Sequence, residues 1–142
     1  MLKNIPPILS PALMLSIMEM GHGDEIVLAD GNYPVESTAT ISVRADGHGI
    51  PELLEAILKF FPLDQQAINN VFFMKKDEKE KPSIWQKYQT ILDNSQEKYA
   101  IEKLDRFQFY ERAREAYTIV ATGEKTLYAN IILRKIILNV SD

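Results

Sequence analysis

The sequence predicts a single α/β domain over residues 1–142, with a mixed, mostly parallel sheet flanked by helices. Apolar, β-branched runs alternate along the chain with stretches of helical periodicity. The runs are continuously apolar, which is typical of strands covered on both faces. The link between the last two runs is too short to hold a crossover helix, so we expect a mixed sheet rather than a purely parallel one.

The N-terminal half of the chain predicts two helices and two strands. Ser10 and Pro11 are typical of an N-cap and a first helical residue, and the helix that they open ends at Gly21. The strand "EIVLA" follows and ends in the turn "DGNYP", and a second extended run, "ATISVR", covers residues 39–44. Leucine and isoleucine recur at helical spacing in "PELLEAILKFF", which predicts the second helix.

The C-terminal half predicts four more strands and two more helices. "AINNVFFM" is a predicted strand, the charged "KKDEKEKP" a solvated loop, and Pro82 starts the amphipathic helix "PSIWQKYQTILDN". After the short strand "YAIEKL", Asp105 caps a helix through "RFQFYERAREA", in which we expect Phe107 and Tyr110 to be buried. The apolar runs "YTIVAT" and "YANIILRKIIL" complete the sheet.

Composition limits the classes of protein to consider. Hydrophobic residues make up 46% and charged residues 25% of the chain, close to the globular average. The net charge of -4 argues against nucleic acid as the main partner, because proteins that bind it usually carry a basic face. No segment approaches the ~20 apolar residues of a membrane span, and prolines interrupt the N-terminal apolar stretch. We therefore expect a cytoplasmic protein that binds neither nucleic acid nor a membrane.

The sequence offers no recognisable metal or cofactor site. It contains no cysteine, and its two histidines, His22 and His48, lack any recognised ligand spacing. The glycine-containing stretch "GHGDE" is neither a Walker loop nor a dinucleotide-binding fingerprint. We therefore expect neither metal nor cofactor.

The stretch "MGHGDEIVLADGNYP" carries the main candidates for chemistry. Asp30 directly follows the strand "EIVLA", and ligands of open α/β sheets bind beyond the carboxyl ends of strands. His22 precedes the same strand in a Gly-His-Gly loop, and imidazole titrates near neutral pH, which suits a general acid and base. Each residue also has a simpler explanation, since a histidine can cap a helix end and Asp-Gly commonly forms a turn.

The predicted strand lies between His22 and Asp30. At ~3.3 Å per residue it would hold the two side chains roughly 15 to 20 Å apart within one chain. Two arrangements can still bring them to one site. The histidine loop can fold back along the strand, or the site can lie between two copies of the chain, and the sequence is compatible with both.

Four segments taken together resemble one known family. "EMGHGDEIVLADGNYP", "RADG", "LDRFQFYERAREAYTIVATGE" and "YANIIL" resemble, in this order and spacing, the fucose mutarotase branch of the ribose pyranase and fucose mutarotase family. The resemblance extends from Met1 to about Leu138. It implies a compact α/β fold and a homo-oligomer, in the form of a ring or otherwise. It also implies an isomerase without a cofactor that interconverts the ring forms of a monosaccharide.

The resemblance also implies the site residues. It identifies His22 as the general acid and base and Asp30 as the residue that holds sugar hydroxyls. The Asp-Arg-Phe and Tyr-Ala-Asn segments supply the other implied sugar-binding residues, which are Arg106, Tyr128, Ala129 and Asn130. Ala129 departs from the fucose branch, where glycine is usual, and matches a residue common in the ribose branch.

The reaction that the resemblance implies is interconversion of the α and β anomers of L-fucose. Ring opening removes a proton from the anomeric hydroxyl and delivers one to the ring oxygen, and closure on the other face gives the other anomer. Two alternatives are a D-ribose pyranase, which interconverts pyranose and furanose forms, and a sugar-binding module without catalysis.

Overall fold

Six strands form one sheet in the computed structural model, which describes residues 1–139. The strands are β1 (Glu25–Ala29), β2 (Ser42–Ala45), β3 (Val71–Met74), β4 (Ile101–Leu104), β5 (Thr118–Thr122) and β6 (Ile131–Arg134). The helices are α1 (Pro11–Glu19), α2 (Val35–Thr38), α3 (Ile50–Ile57), α4 (Ile84–Asn94) and α5 (Arg106–Arg114).

The strand order is β2-β5-β1-β6-β3-β4. The pairs β1–β5, β2–β5 and β3–β4 are parallel, whereas β6 runs antiparallel to β1 and β3. The sheet is therefore mixed and mostly parallel, as the short link before β6 predicts. We call the side where β1 to β5 end the carboxyl edge, and the side where they begin the amino edge. Because β6 is reversed, it begins at the carboxyl edge.

Helices cover both faces of the sheet. Every residue of β1 and of β5 is buried. Ile26 and Leu28 pack with residues of α1, α3 and α4, whereas Val27 and Ala29 pack on the opposite face with residues of α2 and α5. This double cover explains why the strand sequences are continuously apolar, because neither face of the central strands meets water.

Capping hydrogen bonds confirm two of the predicted helix starts. The Ser10 hydroxyl accepts a 3.1 Å hydrogen bond from the amide of Leu13. The Asp105 carboxylate accepts one from the amide of Gln108 at 2.9 Å, and the Gln108 side chain accepts one from the Asp105 amide at 3.1 Å. Such a reciprocal capping box satisfies two amides that the first helical turn leaves without partners.

Two local predictions are wrong in detail. The extended run predicted over residues 39–44 begins as a strand only at Ser42, because residues 35–38 form the short helix α2. On α5, Phe107 is 72% exposed, whereas Phe109 is fully buried. The buried face of α5 follows Phe109 and Ala113, which lie one helical turn apart, and this register turns Phe107 toward solvent.

Candidate functional site

Asp30 and Asn130 meet at the carboxyl edge. Asp30 follows β1, and Asn130 precedes the neighbouring strand β6. The backbone amide of Asp30 donates a 2.7 Å hydrogen bond to the Asn130 side-chain oxygen. The side-chain nitrogen of Asn130 lies 3.7 Å from the sulfur of Met74, which ends β3. Three adjacent strands thus place a carboxylate, an amide and a thioether side by side.

The Asp30 carboxylate is buried and lies close to other acidic charge. Its Oδ1 atom accepts a 2.9 Å hydrogen bond from the amide of Asn32. Burial raises the pKa of Asp30, and the negative charge of Glu124 adds to the increase, while the Asn32 amide opposes it. A carboxylate in this environment favours partners that donate hydrogen bonds to it, and hydroxyl groups are such donors.

The loops after β1 and β5 are tied together around Asp30. The amide of Gly31 donates a 2.8 Å hydrogen bond to the carbonyl oxygen of Glu124, and a Cβ at Gly31 would lie 3.2 Å from that oxygen. The Glu124 carboxylate caps α3 by accepting a 3.0 Å hydrogen bond from the Ile50 amide. Burial opposes ionisation of Glu124, but the amides of Ile50 and Thr126 hold its pKa below the usual value. Glu124 therefore supports the loop that carries Asp30.

An open cavity of about 360 Å³ lies beside Asp30. Its lining includes Tyr33 from the turn after β1, Arg44 from β2 and Thr122 from β5. Ligand pockets in proteins typically measure ~300 to 1,000 Å³, so the cavity suits only a small molecule.

Three tyrosines surround the same edge. The rings of Tyr33 and Tyr110 meet edge to face, with centroids 5.2 Å apart. Tyr128 is half-buried and packs with the core on the face that α5 covers. Its φ of 58° lies in the left-handed region, which costs a residue other than glycine roughly 1 to 2 kcal/mol. Asn4 and Gln96 also have a positive φ, but of the three residues only Tyr128 belongs to the predicted site, where such strain is common.

Ala129 holds the stretch from Tyr128 to Asn130 in place through its backbone carbonyl group. It is fully buried, and its carbonyl oxygen accepts a 2.6 Å hydrogen bond from the hydroxyl of Tyr88. Tyr88 belongs to α4 on the other face of the sheet. The predicted site stretch is therefore fixed by a hydrogen bond from the face of the sheet that α4 covers.

Arg106 lies at the same edge but not against Asp30. It begins α5 directly after β4, and β6 and β3 lie between β4 and β1. Three strand spacings separate the two strands by about 14 Å. The Arg106 side chain is exposed, and its guanidinium carbon lies 5.0 Å from the ring centre of Phe107.

His22 lies at the amino edge, opposite Asp30. Its Nδ1 atom accepts a 3.2 Å hydrogen bond from the amide of Ile137, in the segment that follows β6. The next residue, Gly23, has a φ of 85° and donates a 2.8 Å hydrogen bond to the carbonyl oxygen of Lys135. The loop therefore packs against the end of β6 and does not fold back along β1.

Two buried carboxylates paired with arginines lie near the His22 loop, and the sequence patterns do not predict this network. Arg134 donates a 2.9 Å hydrogen bond to Asp64 and a 3.2 Å hydrogen bond to Glu25. Arg112 binds both carboxylate oxygens of Glu25, at 2.8 and 2.6 Å. The available signal was the presence of charged residues at the ends of apolar strand sequences, Glu25 in β1 and Arg134 in β6.

Two negative structural findings apply to residues 1–139. Within this range no three histidine, aspartate or glutamate side chains are grouped in a way that could hold a metal ion. None of the helices described in this range has the length and apolar character needed to cross a membrane.

Comparisons with known proteins agree with the resemblance carried by the four sequence segments. A family model described as the RbsD / FucU transport protein family matches residues 3–137. The fucose mutarotase of Mus musculus is 46% identical, over 94% of this chain and 93% of that protein. The fucose mutarotase of Streptococcus pneumoniae, solved in complex with L-fucose, is 48% identical, with a TM-score of 0.93 over 97% of this chain and 100% of that one.

A further solved structure shares the fold at lower identity. Bacillus subtilis RbsD complexed with D-ribose is 23% identical, with a TM-score of 0.74 over 98% of this chain and 100% of that one. With the family model matched over nearly all of its length, the chain belongs to the RbsD / FucU family.

Proposed function

We propose that the chain is an L-fucose mutarotase, a carbohydrate isomerase that interconverts the α and β anomers of the sugar. The observation that carries the proposal is the 48% identity, over nearly the full length of both chains, to a fucose mutarotase solved in complex with L-fucose. The Asp30–Asn130 pair supports it, because Asp30 lines a small cavity and a carboxylate next to an amide suits a polyhydroxylated ligand.

Each proposed site residue has a role that its chemistry permits. His22 transfers protons to and from the anomeric hydroxyl and the ring oxygen. Asp30 accepts hydrogen bonds from sugar hydroxyls, and Arg106 and Asn130 donate to them. Tyr128 offers a phenol and an apolar ring face, and Ala129 holds Tyr128 and Asn130 in place. This mechanism uses no cofactor.

We further propose that the site forms between two copies of the chain. His22 and Asp30 lie at opposite edges of the sheet, so the amino edge of one copy must meet the carboxyl edge of the next. Exposed apolar side chains occur at both edges, with Phe107 and Leu127 at the carboxyl edge and Ile68 and Ile137 at the amino edge. Contacts of this head-to-tail kind close into rings when the rotation between copies permits it.

The reaction is tested by saturation-transfer NMR on L-fucose, D-ribose, D-galactose and L-rhamnose. We expect catalysed anomer exchange that is fastest for L-fucose. Faster transfer between pyranose and furanose forms of ribose would identify a ribose pyranase. Saturable sugar binding without any exchange would identify a binding module, and either result would contradict the proposed function.

The shared site is tested by mixing two inactive variants, His22→Ala and Asp30→Ala. The two chains are unfolded together in equal amounts and refolded, and exchange of L-fucose is compared with that of each variant refolded alone. If each site takes its histidine from one copy and its aspartate from the next, about a quarter of the sites regain both residues. Absence of any recovery in a mixed assembly that mass spectrometry verifies would exclude the shared site.

The proposal includes a cytoplasmic location. It rests on a chain without cysteine, which suits a reducing compartment. Fractionation of cells that express the chain tests it.

A further inference from the structure

Arg134 is held in one orientation by two buried carboxylates. Its Nε atom donates to Asp64 at 2.9 Å and its Nη1 atom donates to Glu25 at 3.2 Å. The two carboxylate side chains are only 3% and 9% exposed. A planar guanidinium bound on two sides by separate acceptors has little freedom to rotate.

The remaining nitrogen of this guanidinium faces the His22 loop. A Cβ built on Gly23 would lie 3.2 Å from Arg134 Nη2, so the guanidinium packs directly against the glycine next to His22. Gly23 also has a positive φ, which a side chain would strain. Arg134 therefore supports the His22 loop by packing against Gly23.

Backbone hydrogen bonds hold the other side of the loop. The amide of Gly23 donates to the carbonyl oxygen of Lys135 at 2.8 Å. The amide of Lys135 donates to the carbonyl oxygen of Asp24 at 2.9 Å. The amide of Ile137 donates to His22 Nδ1. A neutral imidazole that accepts at Nδ1 carries its proton on Nε2, so this contact also selects one tautomer.

Arg112 binds the same network from α5, and none of its atoms lies within 4 Å of a Cβ built on Gly23. It binds Glu25 through two hydrogen bonds, and its guanidinium lies 3.7 Å from the ring centre of Phe72. Glu25 is thus shared between two arginines, and Arg134 is the one that contacts Gly23.

We propose that Arg134 is a positioning residue for His22, an inference that rests on the proposed function. The guanidinium fixes Gly23, and Gly23 fixes the direction in which the imidazole meets a sugar bound at the carboxyl edge of the next copy. The sugar's other contacts lie on that carboxyl edge. Loss of Arg134 should therefore lower kcat and leave KM nearly unchanged, because the misplaced group acts in the proton transfers rather than in sugar binding.

The kinetic test compares Arg134→Met with Arg112→Met, which removes a partner of the same carboxylate but leaves the contact with Gly23 in place. We expect Arg134→Met to lower kcat at least about tenfold and to change KM less than about threefold. Arg112→Met should lower the melting temperature but reduce kcat less than about threefold. Equal losses of kcat in the two variants, or an unchanged kcat in Arg134→Met, would overturn the inference.

A spectroscopic test works even where Arg134→Met folds poorly, because it also uses Arg134→Lys. Lysine keeps the positive charge but lacks the planar guanidinium that donates to both carboxylates. The imidazole ¹⁵N signals of the wild-type chain should show His22 with an unprotonated Nδ1, and both variants should weaken that preference. His48, whose Nδ1 atom lies 3.6 Å from the Glu52 carboxylate, gives the second histidine signal for comparison. If the wild-type chain exchanges no sugar, the proposed function fails, while these signals still decide whether Arg134 orients His22. Unchanged His22 signals in Arg134→Lys would overturn the inference.

Discussion

The two edges of the sheet handle buried charge in opposite ways. At the carboxyl edge, backbone amides donate hydrogen bonds to the carboxylates of Asp30 and Glu124, and burial raises the pKa of Asp30. At the amino edge, Asp64 is also buried, but the Arg134 guanidinium and the amides of Gln66 and Ala67 outweigh that burial and hold its pKa below the usual value.

This difference separates a carboxylate suited to a ligand from one used for structure. The charge of Asp64 is already neutralised by a fixed cation, so Asp64 stabilises the fold. The Asp30 carboxylate lies near the negative charge of Glu124 and lines an open cavity. A ligand hydroxyl in that cavity can therefore donate a hydrogen bond to it. A carboxylate in a cleft whose pKa is raised by burial is a candidate for a functional site.

The largest expected effect concerns the exposed histidine of the amino edge. His22→Ala should lower catalysed fucose exchange by roughly 10² to 10⁴-fold, the usual contribution of a general acid and base. The free energy of unfolding should change by less than about 0.5 kcal/mol, because the side chain is exposed and buries little apolar area. Exchange spectroscopy and urea unfolding measure the two effects. Exchange within about twofold of wild type would remove His22 from the mechanism.

The next effect compares one substitution at the two edges, Asp64→Asn and Asp30→Asn. Asp64 accepts hydrogen bonds on both oxygens, and an asparagine offers one oxygen, so its replacement should cost about 1.5 to 3 kcal/mol of stability at neutral pH. Asp30→Asn keeps an acceptor for the Asn32 amide and removes a charge that burial disfavours. It should unfold no more easily than wild type, yet exchange fucose more slowly.

The difference in the free energy of unfolding between Asp64→Asn and Asp30→Asn should become smaller in acid. The folded pKa of Asp64 lies below the unfolded value of 3.8, so its stabilising contribution is complete above that value and is lost as the pH falls through the folded pKa. The folded pKa of Asp30 lies above 3.8, so its ionised form costs stability at neutral pH and that cost disappears in acid. Urea unfolding from neutral pH to about pH 3 measures both trends. A gap between the variants that widens in acid would contradict the assigned pKa directions.

The sequence predicts the carboxyl edge better than the amino edge, for a physical reason. Local patterns reveal that Asp30 follows a buried strand, and the reversed strand β6 then brings Asn130 beside it. The network at the amino edge joins Glu25, Asp64, Arg112 and Arg134, which come from β1, the α3–β3 connection, α5 and β6. A charged residue at the end of an apolar strand, such as Glu25 or Arg134, marks a candidate, but no single segment indicates its partner, because the contacts form only when the strands are paired.

Helix register shows the same limit on a smaller scale. The sequence of α5 contains three aromatic residues within four positions, and the Asp105 cap is evident from the sequence. The choice between Phe107 and Phe109 as the buried ring depends on how the helix rotates against β3 and β4, which only tertiary packing decides.

The smallest effects compare two buried tyrosine hydroxyls near the carboxyl edge. The Tyr88 hydroxyl donates to the Ala129 carbonyl at 2.6 Å, so Tyr88→Phe should cost about 1 kcal/mol and loosen the stretch that carries Asn130. Within residues 1–139 the buried Tyr33 hydroxyl has no hydrogen-bond partner. Because such a group costs about 1 to 3 kcal/mol, Tyr33→Phe should raise the free energy of unfolding by roughly 1 kcal/mol. Urea unfolding of both variants, with and without L-fucose, measures the contrast. A loss of stability in Tyr33→Phe would mean that the hydroxyl has a partner in the assembled protein.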